Sequence, residues 1–212
     1  MPKLSVIVPA HNEEKSIGKC LESIYSQSFK DFECVVIADA CTDKTAEIAR
    51  SYGAKVIEAD FHNECLGRNA GIESTTGDWI LFIDADDWYL HEFVFEQLME
   101  RTQSWQGKDA DIIAYDMVWK HIGVVGPISG RDNQYFPHCT NKLWRRAFIG
   151  NTRFLNVKPD GDAMFHKLIM EKKPKIDIYH IPVYYYNFLR EGSYSDVMHR
   201  TAEAAIRWWR IK

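Results

Sequence analysis

The sequence predicts an α/β fold, a parallel sheet with helices on both faces. Three observations lead there. Short, continuous apolar runs recur through the first half of the chain, segments with helical spacing follow them, and acidic residues stand just past two of the runs. Fully apolar runs suit strands covered on both faces, and ligands of such sheets bind beyond the carboxyl ends of the strands.

The elements follow in order. Leu4 to Val8 (LSVIV) reads as a buried strand ending at Pro9. Ile17, Cys20, Leu21 and Ile24 then recur on one helical face. Cys34 to Ala38 (CVVIA) is a second strand, ending at Asp39. Asp43 suits the cap of a helix that runs to about Tyr52, with Gly53 as its stop. Lys55 to Ile57 begins a third strand, and a helix around Leu66 to Ser74 is closed by Gly77. Trp79 to Ile83 (WILFI) is a fourth strand that delivers Asp84, Asp86 and Asp87. Two acidic positions, Asp39 and the Asp84 cluster, therefore converge on one edge of the sheet. Further on, Ile112 to Val118 and Val183 to Tyr186 read as strands, Phe165 to Met170 as part of a helix, and positions 123 to 141 as loop. Ala202 to Lys212 reads as a helix with Ile206 and Trp209 on one face and Arg207 and Arg210 beside it.

Composition narrows the class. The chain has 212 residues, of which 46% are hydrophobic, enough for a real core in one domain spanning 1–212. A net charge of -4 and the lack of a basic stripe argue against nucleic acid as a partner. The 5 cysteines form no CxxC pair, which points to reduced thiols in a cytoplasmic setting. The opening MPKLSVIVPAHNEE does not read as a signal peptide, and no run of roughly 18 apolar residues predicts a membrane span.

Asp84-Ala85-Asp86-Asp87 crowds three carboxylates into four positions. Like charges this close repel, and each is costly to desolvate without a compensating cation. Mg²⁺ or Mn²⁺ bridging the cluster to a diphosphate satisfies both needs. The plainer alternative is that Asp86 or Asp87 caps the following helix.

Four blocks together resemble glycosyltransferase family 2: SVIVPAHNEE, IADACTDKT, GRNAGIESTTGDWILFIDADD and TNKLWRRAF. They stand in the family's order and spacing, and the resemblance runs from about Leu4 to Ser195. It implies the GT-A fold, a Rossmann-like and mostly parallel sheet flanked by helices. Residues of about 1–100 would bind the nucleotide-sugar, about 101–200 would face the acceptor, and 201–212 would form the C-terminal helix. Pro9, Ala10, His11 and Glu13 match the loop that lines the nucleotide base, with His11 where the family usually has Tyr. Asp39 matches the acid that accepts a hydrogen bond from uracil, and Arg68 an arginine near the base and phosphates. Asp84, Ala85 and Asp86 match the DxD motif, whose first acid meets the ribose side and whose second binds the metal. Asp87 would support the metal through water or hold the following turn.

An inverting transfer needs a carboxylate to take the acceptor's proton. The family places it before a helix of the second half, and in KPDGDAMFHKLI the match falls on Asp162, with Gly161 where the family often has Glu. Asp160 is the alternative, and both could instead be turn and cap acids. Asn141, Lys142 and Arg145 match a later family block. Lys142 or Arg145 would stabilise the leaving diphosphate, against a default of solvated helix charges. Arg190 and Ser193 could approach the diphosphate or form a turn. His138, His180 and His199 are weaker metal-ligand candidates.

The expected activity is transfer of a sugar from a nucleotide-diphosphate sugar, a UDP-sugar by Asp39, to an acceptor hydroxyl. The acceptor would be a saccharide or lipid-linked saccharide, with Mn²⁺ or Mg²⁺ as cofactor. Two other functions compete. A sugar-nucleotide-forming nucleotidyltransferase would open with a Gly-rich phosphate loop, which PAHNEEKS lacks. A non-catalytic nucleotide-sugar-binding protein would need no base at Asp162. The C-terminal helix would pack on the domain or on a second subunit, or lie on the inner face of a membrane as a peripheral contact.

Overall fold

The structure, a computed structural model, describes residues 3–128, 137–157 and 161–187. Asp160, Arg190, Ser193, His199 and the expected helix at 202–212 lie outside the described residues. Its first half alternates strand and helix. The order is β1 (Leu4–Ala10), α1 (Ile17–Tyr25), β2 (Phe32–Asp39), α2 (Thr45–Ser51), β3 (Lys55–Ala59), α3 (Glu64–Ser74) and β4 (Trp79–Phe82). After these come β5 (Trp88–Tyr89), α4 (Val94–Gln103), β6 (Ile112–Trp119), β7 (Gly123–Val125), β8 (Lys142–Arg145), α5 (Arg146–Ile149), α6 (Gly161–Glu171) and β9 (Ile176–Tyr186).

All the strands among the described residues join one sheet in the order β3-β2-β1-β4-β8-β6-β9-β5, with β7 paired to β6. The first four strands are mutually parallel. Beyond β4 the sheet is mixed, because β8 runs antiparallel to both β4 and β6 while β9 runs parallel to β6. Alternation along β1 separates two cores. Leu4, Val6 and Val8 face one side with Ile17, Leu21 and Ile24 of α1, and Ile7 faces the other with Ile72, Trp144 and Phe165.

Several boundaries differ from the sequence expectation for local reasons. β1 continues through Pro9 to Ala10. Its pairing with β4 ends at Ile7, so Pro9 sits where β1 has a ladder neighbour on one side only, which tolerates a missing N–H. Asp43 secures the start of α2, accepting from the Thr45 amide at 3.0 Å. Positions 123 to 141 are not wholly loop, since β7 folds back on β6. Lys142 and Arg145 lie on β8, so solvated helix charges are ruled out for them. Arg145 pairs with Trp79 at the start of β4 and donates to the carbonyls of Ala110 and Lys108 at 2.8 and 2.9 Å. That is the opposite end of β4 from Asp84, which removes Arg145 from the leaving-diphosphate role.

α3 lies close against β1 because Gly71 has no side chain. A Cβ there would overlap the side chain of buried Ile7. Gly71→Ala should therefore lower stability by about 1–3 kcal/mol, the usual cost of overpacking. A urea unfolding midpoint equal to that of the wild type would refute this packing.

Candidate active site at the strand ends

The carboxyl ends of β1, β2 and β4 lie side by side, as parallel pairing requires. At the end of β2, Asp39 is nearly buried, and its carboxylate accepts the amides of Phe61, His62 and Asn63 at 2.6, 3.0 and 2.7 Å. The carboxylate thus anchors the loop that enters α3. Asn63 then caps α3, its side-chain oxygen accepting from Cys65 N at 2.9 Å. His11 Nδ1 lies 2.7 Å from the Asp39 carbonyl, and the exposed His11 ring stands 6.4 Å from that of His62. Glu13 donates its amide to Thr45 Oγ1 at 2.7 Å and accepts from Ser16 Oγ at the start of α1. Pro9, Ala10, His11, Glu13 and Asp39 therefore lie together at one edge of the sheet.

α3 carries Arg68 inward. It is 2% exposed, so a surface salt bridge is ruled out. Its Nη2 lies 2.9 Å from Asp84 Oδ1, and its Nη1 lies 3.0 Å from Asp162 Oδ1 and 3.5 Å from Glu64 Oε1. Asp162 sits in the first turn of α6, and its Oδ2 accepts the Cys139 amide at 3.1 Å. One guanidinium thus joins the acid at the end of β4 to the acid that opens α6, 94 residues away in sequence from Arg68. Gly161 suits the close approach of α6, because a Cβ there would collide with Cys65 Sγ.

The acids divide the local charge unequally. Burial would raise the Asp162 carboxyl, but Arg68 and the Cys139 amide hold it below the ordinary carboxylate range. Burial pushes Asp84 up to about 7; Arg68 opposes this, and Glu64, Asp86 and Asp162 add to it. Asp87 is fully buried, accepting from Tyr184 Oη at 2.6 Å and Asn187 N at 2.8 Å. It ties the turn after β4 to the end of β9. The cation expected to compensate the cluster is in part the protein's own Arg68. Ala85 is core, and Asp86 is half-buried at the same edge.

A divalent ion fits only with help. Among the described residues, no group of three His, Cys, Asp or Glu is placed to hold one. Mg²⁺ and Mn²⁺ are commonly held by one or two carboxylates plus substrate phosphates, so Asp86 suits an ion that arrives with a diphosphate. His180 Nδ1 lies 3.2 Å from Asp116, and His138 is half-buried against the rings of Trp119 and Tyr186. The sequence reading missed Asn63, Tyr184 and the Cys139 amide. Asn63 before an apolar helix was a legible cap signal; the other two act across the fold and leave no local pattern.

The family model for glycosyl transferase family 2 matches residues 5–154, more than half of the chain. Glycosyltransferase GlyA of Streptococcus pneumoniae is 34% identical over 109 residues, covering 49% of this chain and 16% of GlyA. The poly(ribitol-phosphate) beta-N-acetylglucosaminyltransferase TarS of Staphylococcus aureus is 26% identical over 217 residues, 92% of this chain and 37% of TarS. The chain thus spans well under half the length of these curated relatives. The crystal structure of TarS 1-349 in complex with UDP-GlcNAc superposes with a TM-score of 0.80 at 23% identity, covering 92% of this chain and 60% of that one. A mannosyltransferase from Pyrobaculum calidifontis in complex with GDP-Man and Mn2+ gives 0.70 at 16%, covering 90% and 58%. These likenesses identify the fold as GT-A.

Arg68→Met should cost about 1–3 kcal/mol, because it leaves the half-buried carboxylates of Asp84 and Asp162 without their cation. A carboxyl held low stabilises the fold above its unfolded pKa and loses that contribution as pH falls. The part of the Arg68→Met deficit that comes from Asp162 should therefore be largest near neutral pH and shrink as Asp162 protonates. Thermal unfolding across pH measures it, and a deficit that grows on acidification would contradict the network.

Proposed function

The chain belongs to glycosyltransferase family 2, and we propose that it transfers a sugar from a UDP-sugar to an acceptor hydroxyl by a single in-line, inverting displacement. The observation that carries this reading is the Arg68 link between Asp84, at the donor end of the sheet, and Asp162. An acid at the donor end and a candidate base are thereby held in one frame. A carboxylate offers about four lone-pair sites, and the two bonds to Asp162 leave others for an acceptor hydroxyl. Its lowered pKa keeps it ionised at neutral pH, the state a general base needs.

In the proposed step, the acceptor oxygen bonds to the anomeric carbon as that carbon's bond to the diphosphate oxygen breaks. The acceptor proton passes to Asp162, and the electron pair leaves with the diphosphate. A Mn²⁺ or Mg²⁺ ion at Asp86, when bound, neutralises charge on that leaving group. The base loop would be Pro9, Ala10, His11 and Glu13, with Ala85 and Asp84 toward the ribose. Asp39 already holds three amides, so recognition of uracil would use a lone pair left on its carboxylate. TarS crystallised with UDP-GlcNAc and the mannosyltransferase with Mn2+ support this class of donor and cofactor. The acceptor would be a saccharide or lipid-linked saccharide. No helix among the described residues is long and apolar enough to cross a membrane.

Asp162→Asn keeps shape and removes the basic carboxylate. It should bind UDP with metal normally and lose transfer by about 10²-fold or more, the range for general-base catalysis. Donor affinity and product formation, measured on one sample, decide the matter. Near-normal transfer would remove Asp162 as base and move the role to Asp160, whereas weakened UDP binding would place Asp162 in the donor site.

A further inference from the structure

Lys142 opens β8 and is 0% exposed, an unusual position for a lysine. Its Nζ donates to the His138 carbonyl at 2.6 Å and to Asn141 Oδ1 at 2.6 Å. Burial pushes its ammonium down to about 7, against the pull of Cys139 and Asp162. A hydrophobic residue of similar volume would avoid that desolvation, so stability alone does not account for the charge. What the charge holds is the turn from His138 to Asn141. That turn supplies the Cys139 amide to Asp162 Oδ2. Tyr115 Oη on the Thr140 carbonyl at 2.7 Å and Trp144 Nε1 on the Cys139 carbonyl at 3.0 Å brace the same turn.

We propose that Lys142 is a positioning residue for Asp162, a role that rests on the base assignment above. Its bonds to the His138 carbonyl and Asn141 Oδ1 set the His138–Asn141 turn, the turn's amide holds Oδ2, and Arg68 holds Oδ1. The carboxylate is left one orientation in which its remaining lone pairs face an acceptor. With no exposed surface, Lys142 is placed to act through Asp162 and not on the leaving diphosphate directly. Other charged and titratable groups also face this centre: Glu64 and Arg68 from α3, Asp84 after β4, His138 and Cys139 in the turn, and His166 one turn further along α6. Burial and the Lys142 charge push His166 down to about 4, which places it within the same field.

The test pairs Lys142→Met with Asp162→Asn. Met matches the volume and removes the donor. With a UDP-sugar that the wild type turns over, Lys142→Met should lower kcat by about 10²-fold, the scale of a misplaced group, with the donor KM unchanged. In the Asp162→Asn background the same change should add nothing, since both act on one group. Independent losses that multiply would overturn the proposal. A second readout needs no turnover: NMR titration of the ¹³C-labelled Asp162 carboxyl. Loss of the amide bond and the nearby charge should raise its pKa in Lys142→Met. An unchanged Asp162 titration would overturn the proposal even if every donor fails, an outcome that would separately refute the transferase reading. If Lys142→Met does not fold, Lys142→Gln, which retains one amide donor, should give a smaller shift in the same direction.

Discussion

The buried guanidinium of Arg68 is the interaction on which the site depends. It draws together Asp84, at the end of a parallel strand, and Asp162, at the start of a helix from the second half of the chain. The guanidinium is the buried member of the group, and its charge depends on these half-buried carboxylates for compensation. The arginine is in turn placed by a chain of local causes. Asp39 gathers three amides of the entering loop, Asn63 caps α3, and Gly71 lets α3 lie against β1. Each step is a backbone or packing constraint, and their sum is a charge centre at the sheet edge.

The mixed half of the sheet completes that centre. By running antiparallel to β4, β8 begins at the end where Asp84 emerges, so its first residue, Lys142, is delivered beside the acids. A parallel strand would have delivered its last residue instead. The same reversal puts Arg145 at the far end, where it binds carbonyls. Two basic residues three positions apart in one family block thus have unrelated work, and only the direction of the strand separates them.

Much of the donor half was legible in the sequence because its signals are local. Apolar runs marked β1, β2 and β4, helical spacing marked α1, and the acids stood where those strands end. The family resemblance supplied Arg68 and Asp162 as separate candidates. Their pairing was not legible, because contacts across 94 residues leave no periodicity. Asp87 illustrates the same limit. Its neighbours in sequence suggested a metal, while its hydrogen bonds come from Tyr184 and Asn187. β8 was hidden because four residues, two of them charged, carry no strand pattern, and Lys142 owes its burial to strands on both sides.

The charge balance around Arg68 bears directly on the donor. Arg68 already faces the charges of Asp84, Asp162 and Glu64, so the proposed transfer calls on a second cation to neutralise the added charge of a diphosphate. Calorimetric titration of UDP into the wild-type protein, with Mn²⁺ and then with EDTA, tests this most directly. UDP should bind with Mn²⁺, and the binding should disappear in EDTA. Equal binding under both conditions would contradict it.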